Sequence, residues 1–299
     1  MTLAPGDGLG KTPEMTFPIP GFDLAAFVSA TLAEDLGLGW PGGGRDVTSE
    51  SVIPADARFA GVMDSRDAIV VCGLPLAEAF FRALDPDVAI EILHPEGAVV
   101  PAGTDLMRLS GKARALLTAE RSALNTVQHL SGIATMTRLY VDAMDGKATL
   151  LDTRKTIPGL RHLEKYATRT GGAQNHRLGL WDAAMIKDNH VAVAGGVGEA
   201  VRRARAAGVE SVICEVDRLD QIEPALTAGA THLLLDNMAP ATLREAVALV
   251  AGRVPTEASG GVRLDTIGAI AASGVTYVSV GRLTQSAPAA DIGLDFTPL

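Results

Sequence analysis

The spacing of apolar residues divides the chain near residue 148. Ahead of that point, DLAAFVSATLAEDLG (23–37) has apolar residues at helical spacing and ends on a glycine, which predicts a helix. GLGWPGGGRDVTSE follows and is too glycine-rich for regular structure, so Gly42 to Gly44 read as turn residues. Its G-x-G pattern has no strand before it and no prompt helix after it, which excludes a dinucleotide fingerprint. Within 57–111, ARFAGVMD, AIVVCG, VAIEILH and TDLMRLSG read as strands separated by Pro- and Gly-bearing turns. One helix, PLAEAFFRALD, interrupts them. Residues 118–144 predict a long helix with a break near Ser131-Gly132.

Beyond 148, six short apolar runs recur: ATLLD, AAMIK, SVICEV, HLLLD, PTEASG and YVSVG. Ala-rich helical stretches lie between most of them and close on Gly, as helix ends commonly do. This alternation predicts a parallel sheet. Six units fall short of the eight of a complete (β/α) barrel. The expected fold class is therefore α/β, with an open, TIM-like, incomplete barrel or one completed by an irregular strand.

Composition narrows the function. The 299 residues are 47% hydrophobic, enough for a substantial core, and the net charge is −9. That charge argues against general nucleic-acid binding but allows a small anionic ligand in a local basic pocket. Cys72 and Cys214, the only cysteines, lie in the apolar runs IVVCGL and SVICEV. They read as small buried hydrophobes, excluding a disulfide framework or a cysteine zinc site and fitting a reducing cytoplasm. Residues 1–22, rich in Gly and Pro, lack the basic and apolar regions of a signal peptide and read as a flexible leader. No apolar run reaches the roughly 18 residues of a membrane span.

Barrel chemistry sits at the C-terminal ends of the strands. The six runs are followed there by Asp152-Thr153-Arg154-Lys155, Lys187-Asp188-Asn189-His190, Glu215 and Asp217, Asp236-Asn237, Glu257 with Ser259-Gly260-Gly261, and Gly281-Arg282. Six polar or glycine-rich rims behind apolar strands point to one charged mouth. The early rims are cationic: residues 152–190 hold seven Lys and Arg against four acids. Arg offers bidentate recognition of carboxylate or phosphate, and Lys a point charge. Glu215 and Asp236 suit sugar hydroxyls or a hard divalent cation through water. ASGG and SVGR expose backbone N–H groups where the next helix begins, which suits a phosphate. A multi-anionic ligand is implied. Arg161, Lys165 and Arg169, spaced four apart beside Glu164, read as a solvated helix face that also carries His162. His129 reads as a packed histidine, and Asp152 and Asp188 as loop-ordering groups.

These residues also carry a resemblance. LDTRKTIPGLRHLEKYATRTGGAQNHRLGLWDAAMIKDNH resembles the signature of the quinolinate phosphoribosyltransferase family, as do CEVDRLDQIEPALTAGATHLLLDNM, EASGGVRLDTI and SVGRLTQSAPAADIGLDF. EDLG…RDVTSE and AERSALNTVQHLSGIAT extend the likeness over roughly residues 23–296. It implies an N-terminal α/β-sandwich domain (23–129), an open α/β barrel (130–285) and a C-terminal segment (286–299) returning to the first domain. It implies a pentosyltransferase joining quinolinate to 5-phosphoribosyl-1-pyrophosphate, with Mg2+, to give nicotinate mononucleotide, pyrophosphate and CO2 in de novo NAD synthesis. Arg121, Arg154, His176, Arg177 and Lys187 would surround the quinolinate carboxylates, Arg121 coming from the neighbouring subunit of a homodimer; a higher oligomer is left open. Lys155 and Lys187 would also contact pyrophosphate, with Thr153 as their hydroxyl neighbour. Glu215 and Asp236 would hold ribose hydroxyls and Mg2+ waters, and Lys155, Lys187, Glu215 and Asp236 would form the catalytic set. Ser259, Gly260, Gly261, Gly281 and Arg282 would bind the 5′-phosphate end. Gln285 stands where the family often has His, and WPGGG lengthens the N-terminal loop. The rivals are a sister pyrophosphorylase with another acceptor, a Schiff-base aldolase using Lys155 or Lys187, and a ligand-binding paralogue.

Overall fold

A computed structural model describes residues 19–299, so most of the 1–22 leader expected from the sequence lies outside the described residues. The chain forms two compact units. One holds residues 19–136, 162–171 and 287–299, and the other 137–161 and 172–286.

The first unit opens with α1 (Leu24–Asp35), whose Asp23 side chain accepts from Ala26 N at 2.9 Å and so caps the helix. There follow α2 (Val47–Val52), β1 (Arg58–Ser65), β2 (Ile69–Val70), α3 (Leu74–Leu84), β3 (Ala89–Ile92), β4 (Val99–Val100), β5 (Thr104–Lys112) and the long α4 (Ala113–Met144). The barrel unit contributes β6 (Thr149–Leu151), then β7 (Ala184–Ile186) after an intervening α5 (Arg161–Thr170) that clusters with the first unit. It continues with α6 (Asp188–Ala194), α7 (Val197–Ala206), β8 (Val212–Val216), α8 (Ile222–Thr227), β9 (His232–Asp236), α9 (Pro240–Val250), β10 (Thr256–Ser259), α10 (Ile267–Ala271), β11 (Tyr277–Ser279) and α11 (Arg282–Gln285). Strand β12 (Ile292–Pro298) closes the chain.

In the first unit an antiparallel sheet runs β12-β1-β5-β3, so its edge strand comes from the far end of the chain. One sheet face packs on α3 and α4, and Met63, Phe80, Phe81, Leu106, Met107 and Leu116 are fully buried in that core. The expected break in α4 is absent. Gly132 instead permits close approach, since a Cβ there would stand 2.0 Å from the Pro288 carbonyl oxygen. Neighbouring Ser131 both donates to the Cys72 carbonyl and accepts from its N–H, each at 3.0 Å.

Helix α5 departs from the expected solvated face and from the expected 130–285 barrel segment. Glu164 and Lys165 are fully buried and have polar partners. Glu164 pairs with His129 at 2.9 Å, and the Tyr166 hydroxyl donates to Glu96 at 2.7 Å. Burying charge requires such partners, and those of Glu164 and Tyr166 include His129 on α4 and Glu96 in the β3–β4 loop.

The second unit is a six-stranded parallel sheet ordered β6-β11-β10-β9-β8-β7. All six strands fall on the six apolar runs. β6 and β7 do not pair, so the barrel is open between them. At that free edge, Gln174 forms a one-residue parallel bridge to Leu151, donating to the Leu150 carbonyl at 2.9 Å and accepting from Asp152 N at 3.2 Å. Of the two expected alternatives the open barrel is the one found, with a single bridge rather than an irregular strand at its edge.

Candidate active site

Strand alternation sends every second residue to one side. Met185 and Lys187, Leu234 and Asp236, Glu257 and Ser259, and Ser279 and Gly281 all face one cavity of about 880 Å3 at the C-terminal rim of the barrel. Thr153, Arg154, Lys155, His176, Arg177, Gly260, Gly261 and Arg282 complete the predicted part of its wall.

The Arg-Lys loop after β6 is held from both sides. Thr153 Oγ1 accepts from Lys155 N at 3.0 Å, and Thr284 Oγ1 donates to the Lys155 carbonyl at 2.7 Å. The Lys155 chain lies over Gly281, where a Cβ would stand 2.8 Å from Lys155 Cδ. Arg154 Nε is buried without a hydrogen-bond partner among the described residues. Arg177 donates from Nη1 to the Ala183 carbonyl at 3.1 Å. Burial first, and then the Arg154 charge, make Arg177 easier to deprotonate than a free guanidinium. Two guanidinium groups thus share one wall and repel each other.

Lys187, also in the wall, is ion-paired with Glu215 at the end of β8. Burial and then the Glu215 charge raise the Asp236 carboxyl above the ordinary aspartate range. Asn237 adopts a left-handed φ of 55° and donates to Asp236 at 2.6 Å. Its side chain occupies the space above Gly260: a Cβ at Gly260 would stand 2.1 Å from Asn237 Oδ1, and φ there is +91°. The ASGG turn therefore does not lead straight into a helix as expected. The chain first wraps over Asn237, and α10 starts only at Ile267. SVGR does run directly into α11.

Asp152 orders its loop by accepting from Asn175 Nδ2 at 2.7 Å and His176 N at 2.8 Å. Arg121 belongs to the first unit, where it is exposed on α4 and donates to Asn125 at 2.6 Å. Three wall or supporting residues were not singled out from the sequence: His232, Arg263 and Ser279. A polar residue at an inward register position of an apolar strand, as in HLLLD, is the signal that marks the first.

The fold and cavity define an open-barrel protein whose mouth is built for carboxylate or phosphate groups. The chain belongs to the quinolinate phosphoribosyl transferase family. The family's C-terminal domain matches residues 133–295 and its N-terminal domain residues 46–131. The chain is 44% identical over 283 residues to the nicotinate-nucleotide pyrophosphorylase (carboxylating) of Mycobacterium leprae, covering 92% of this chain and 98% of that protein. It is 41% identical to a probable enzyme of the same name from Bacillus subtilis (strain 168), over 88% of this chain and 90% of the relative. The solved structure of NadC from Streptococcus pyogenes matches with a TM-score of 0.87 at 36% identity, covering 92% of this chain and 97% of that one. No helix among the described residues is long and apolar enough to cross a membrane.

Proposed function

We infer that this chain transfers a phosphoribosyl group from 5-phosphoribosyl-1-pyrophosphate to the ring nitrogen of quinolinate, giving nicotinate mononucleotide, pyrophosphate and CO2 for NAD synthesis. The observation that carries the reading is the wall of Arg154, Lys155 and Arg177 in a chain of net charge −9. Lys187 has its Glu215 partner, but these three have no ion-paired carboxylate among the described residues. A dicarboxylate supplies the missing counter-charge and removes the repulsion between the two guanidinium groups.

Cleavage of the C1–pyrophosphate bond builds positive charge on the ribose and negative charge on the leaving group. Lys155 and Lys187 stabilise the latter, while Glu215 and Asp236 tolerate the oxocarbenium character and hold ribose hydroxyls. Ser259, Gly260, Gly261, Gly281 and Arg282 take the 5′-phosphate end. Ribosylation makes the ring nitrogen cationic, so the electron pair left at C2 when CO2 departs is stabilised until it takes a proton from water, and no covalent nucleophile is needed. Glu215 and Asp236 also suit Mg2+ through water: burial first, and then the Glu215 charge, raise the Asp236 carboxyl, and a bound cation would offset both. No group of three or more His, Cys, Asp or Glu among the described residues forms a direct cage. Phosphate oxygens and water would therefore complete the coordination, and the bound ion would neutralise charge on the leaving pyrophosphate.

The reading includes a homodimer in which Arg121 serves the partner subunit's cavity, in keeping with its exposure on α4. It places the enzyme in the cytoplasm, in keeping with two free buried cysteines. Incubation with quinolinate, the phosphoribosyl donor and Mg2+ should release CO2 and nicotinate mononucleotide together; absence of product sinks the reading. Arg121→Ala and Lys187→Ala proteins, each inactive, should regain activity when mixed. Failure with subunit exchange confirmed removes the shared site.

A further inference from the structure

Beneath the cationic wall lies a buried carboxylate that the mechanism above does not use. Glu257 is fully buried on β10, and one of its oxygens, Oε2, meets two imidazoles: His176 Nε2 at 3.2 Å and His232 Nε2 at 3.0 Å. The His232 ring stacks on Tyr277 with centroids 5.7 Å apart, which fixes its plane. Burial pushes the Glu257 carboxyl up, but the two histidines outweigh it and hold the group well below the ordinary glutamate range.

The direction of the hydrogen bonds is decided at the far side of the His176 ring. Arg177 N donates to His176 Nδ1 at 2.7 Å. A backbone amide can only donate, so Nδ1 bears a lone pair and the proton of the neutral ring sits on Nε2. That proton points at Glu257, an acceptor. The chain of bonds runs one way: Arg177 N–H to Nδ1, and Nε2–H to the carboxylate. Its result is a fixed backbone at Arg177, whose guanidinium is held beside Arg154 against repulsion and partial burial.

We propose that Glu257 is a positioning residue for the acceptor end of the site: it selects the His176 tautomer that receives the Arg177 N–H, and so sets where the Arg177 guanidinium meets a substrate carboxylate. His232 holds Glu257 in turn. The proposal rests on the quinolinate reading, and turnover of quinolinate by the unaltered protein is established first. The tautomer itself is then read without substrate by 15N NMR of the histidine rings, with His176 assigned by loss of its signals in H176Q. A pyridine-type Nδ1 and a pyrrole-type Nε2 are expected. A protonated Nδ1 at neutral pH overturns the proposal whatever the enzyme turns over. In kinetics, E257L raises the KM for quinolinate about tenfold or more with the KM for the phosphoribosyl donor within about twofold, in the range seen when a supporting partner is removed. E257Q keeps the acceptor oxygen and recovers most of the loss. A folded E257L with an unchanged quinolinate KM, or with both KM values raised alike, overturns it. If E257L does not fold, the tautomer measurement decides alone.

Discussion

Two glutamates, one half-buried and one fully buried, behave in opposite ways. Glu96, in the first unit, accepts from Gly73 N at 2.7 Å, Leu74 N at 3.1 Å and the Tyr166 hydroxyl at 2.7 Å. Burial still dominates, and its carboxyl is raised above the ordinary range. Glu257, fully buried in the barrel, is also pushed up by desolvation, yet two imidazoles carry it below that range. The hydrogen bonds to Glu96 do not outweigh its desolvation, whereas the interactions of the two imidazoles with Glu257 do. Glu96 ties off buried N–H groups that begin α3 and have no partner within the helix. The first unit spends its polar groups on holding itself together. The barrel unit leaves Arg154, Lys155 and Arg177 turned toward a cavity.

The largest test of that contrast is Lys155→Ala. It should lower kcat by about 10²–10³ in nicotinate mononucleotide formation, with Tm little changed because the side chain is exposed. A fall in Tm with kcat intact would erase the distinction. Gly132→Ala is the mirror case. Its Cβ meets the Pro288 oxygen, so denaturant unfolding should show a loss of about 1–3 kcal/mol while kcat per folded molecule is kept. Gly260→Ala joins the two effects. It strains a φ of +91° and displaces Asn237 from Asp236, giving a loss of about 1–3 kcal/mol together with a higher KM for the phosphoribosyl donor.

The smallest effect is in pH dependence, and its sign differs between the glutamates. The lowered Glu257 group contributes stability present above the ordinary glutamate range, roughly pH 4.3, and lost as pH falls through its folded value. The raised Glu96 group contributes in the reverse sense: its share is present below that range and lost as pH rises through its folded value. Between neutral pH and about pH 3, the Tm advantage of the unaltered protein over E257Q should therefore shrink, while its standing relative to E96Q should improve. Parallel trends would refute the contrast.

The six barrel strands and the α1 and α3 helices were legible because apolar period and turn residues are local signals. The cationic rim was legible for the same reason: Arg154, Lys155 and Lys187 follow strand ends directly in the chain, while Arg177 sits in the loop between α5 and β7. Two local readings failed where a distant partner intervened. Ser131-Gly132 looked like a helix break, but the glycine makes room for Pro288. Lys165 and Glu164 looked solvated by their spacing, but α5 is buried against residues that include His129.

The sequence by itself determined the order of elements, the open count of six strands and the charge of the mouth, since each depends on neighbours in the chain. Only the tertiary structure decided that His176, His232 and Glu257 share one oxygen, across separations of 25 and 81 residues. It also decided that Asn237 must sit over Gly260 and that α5 belongs with the first unit. Periodicity says which face of a strand is inward; it carries no information about which inward side chains meet, because that depends on register between strands and on packing across the barrel.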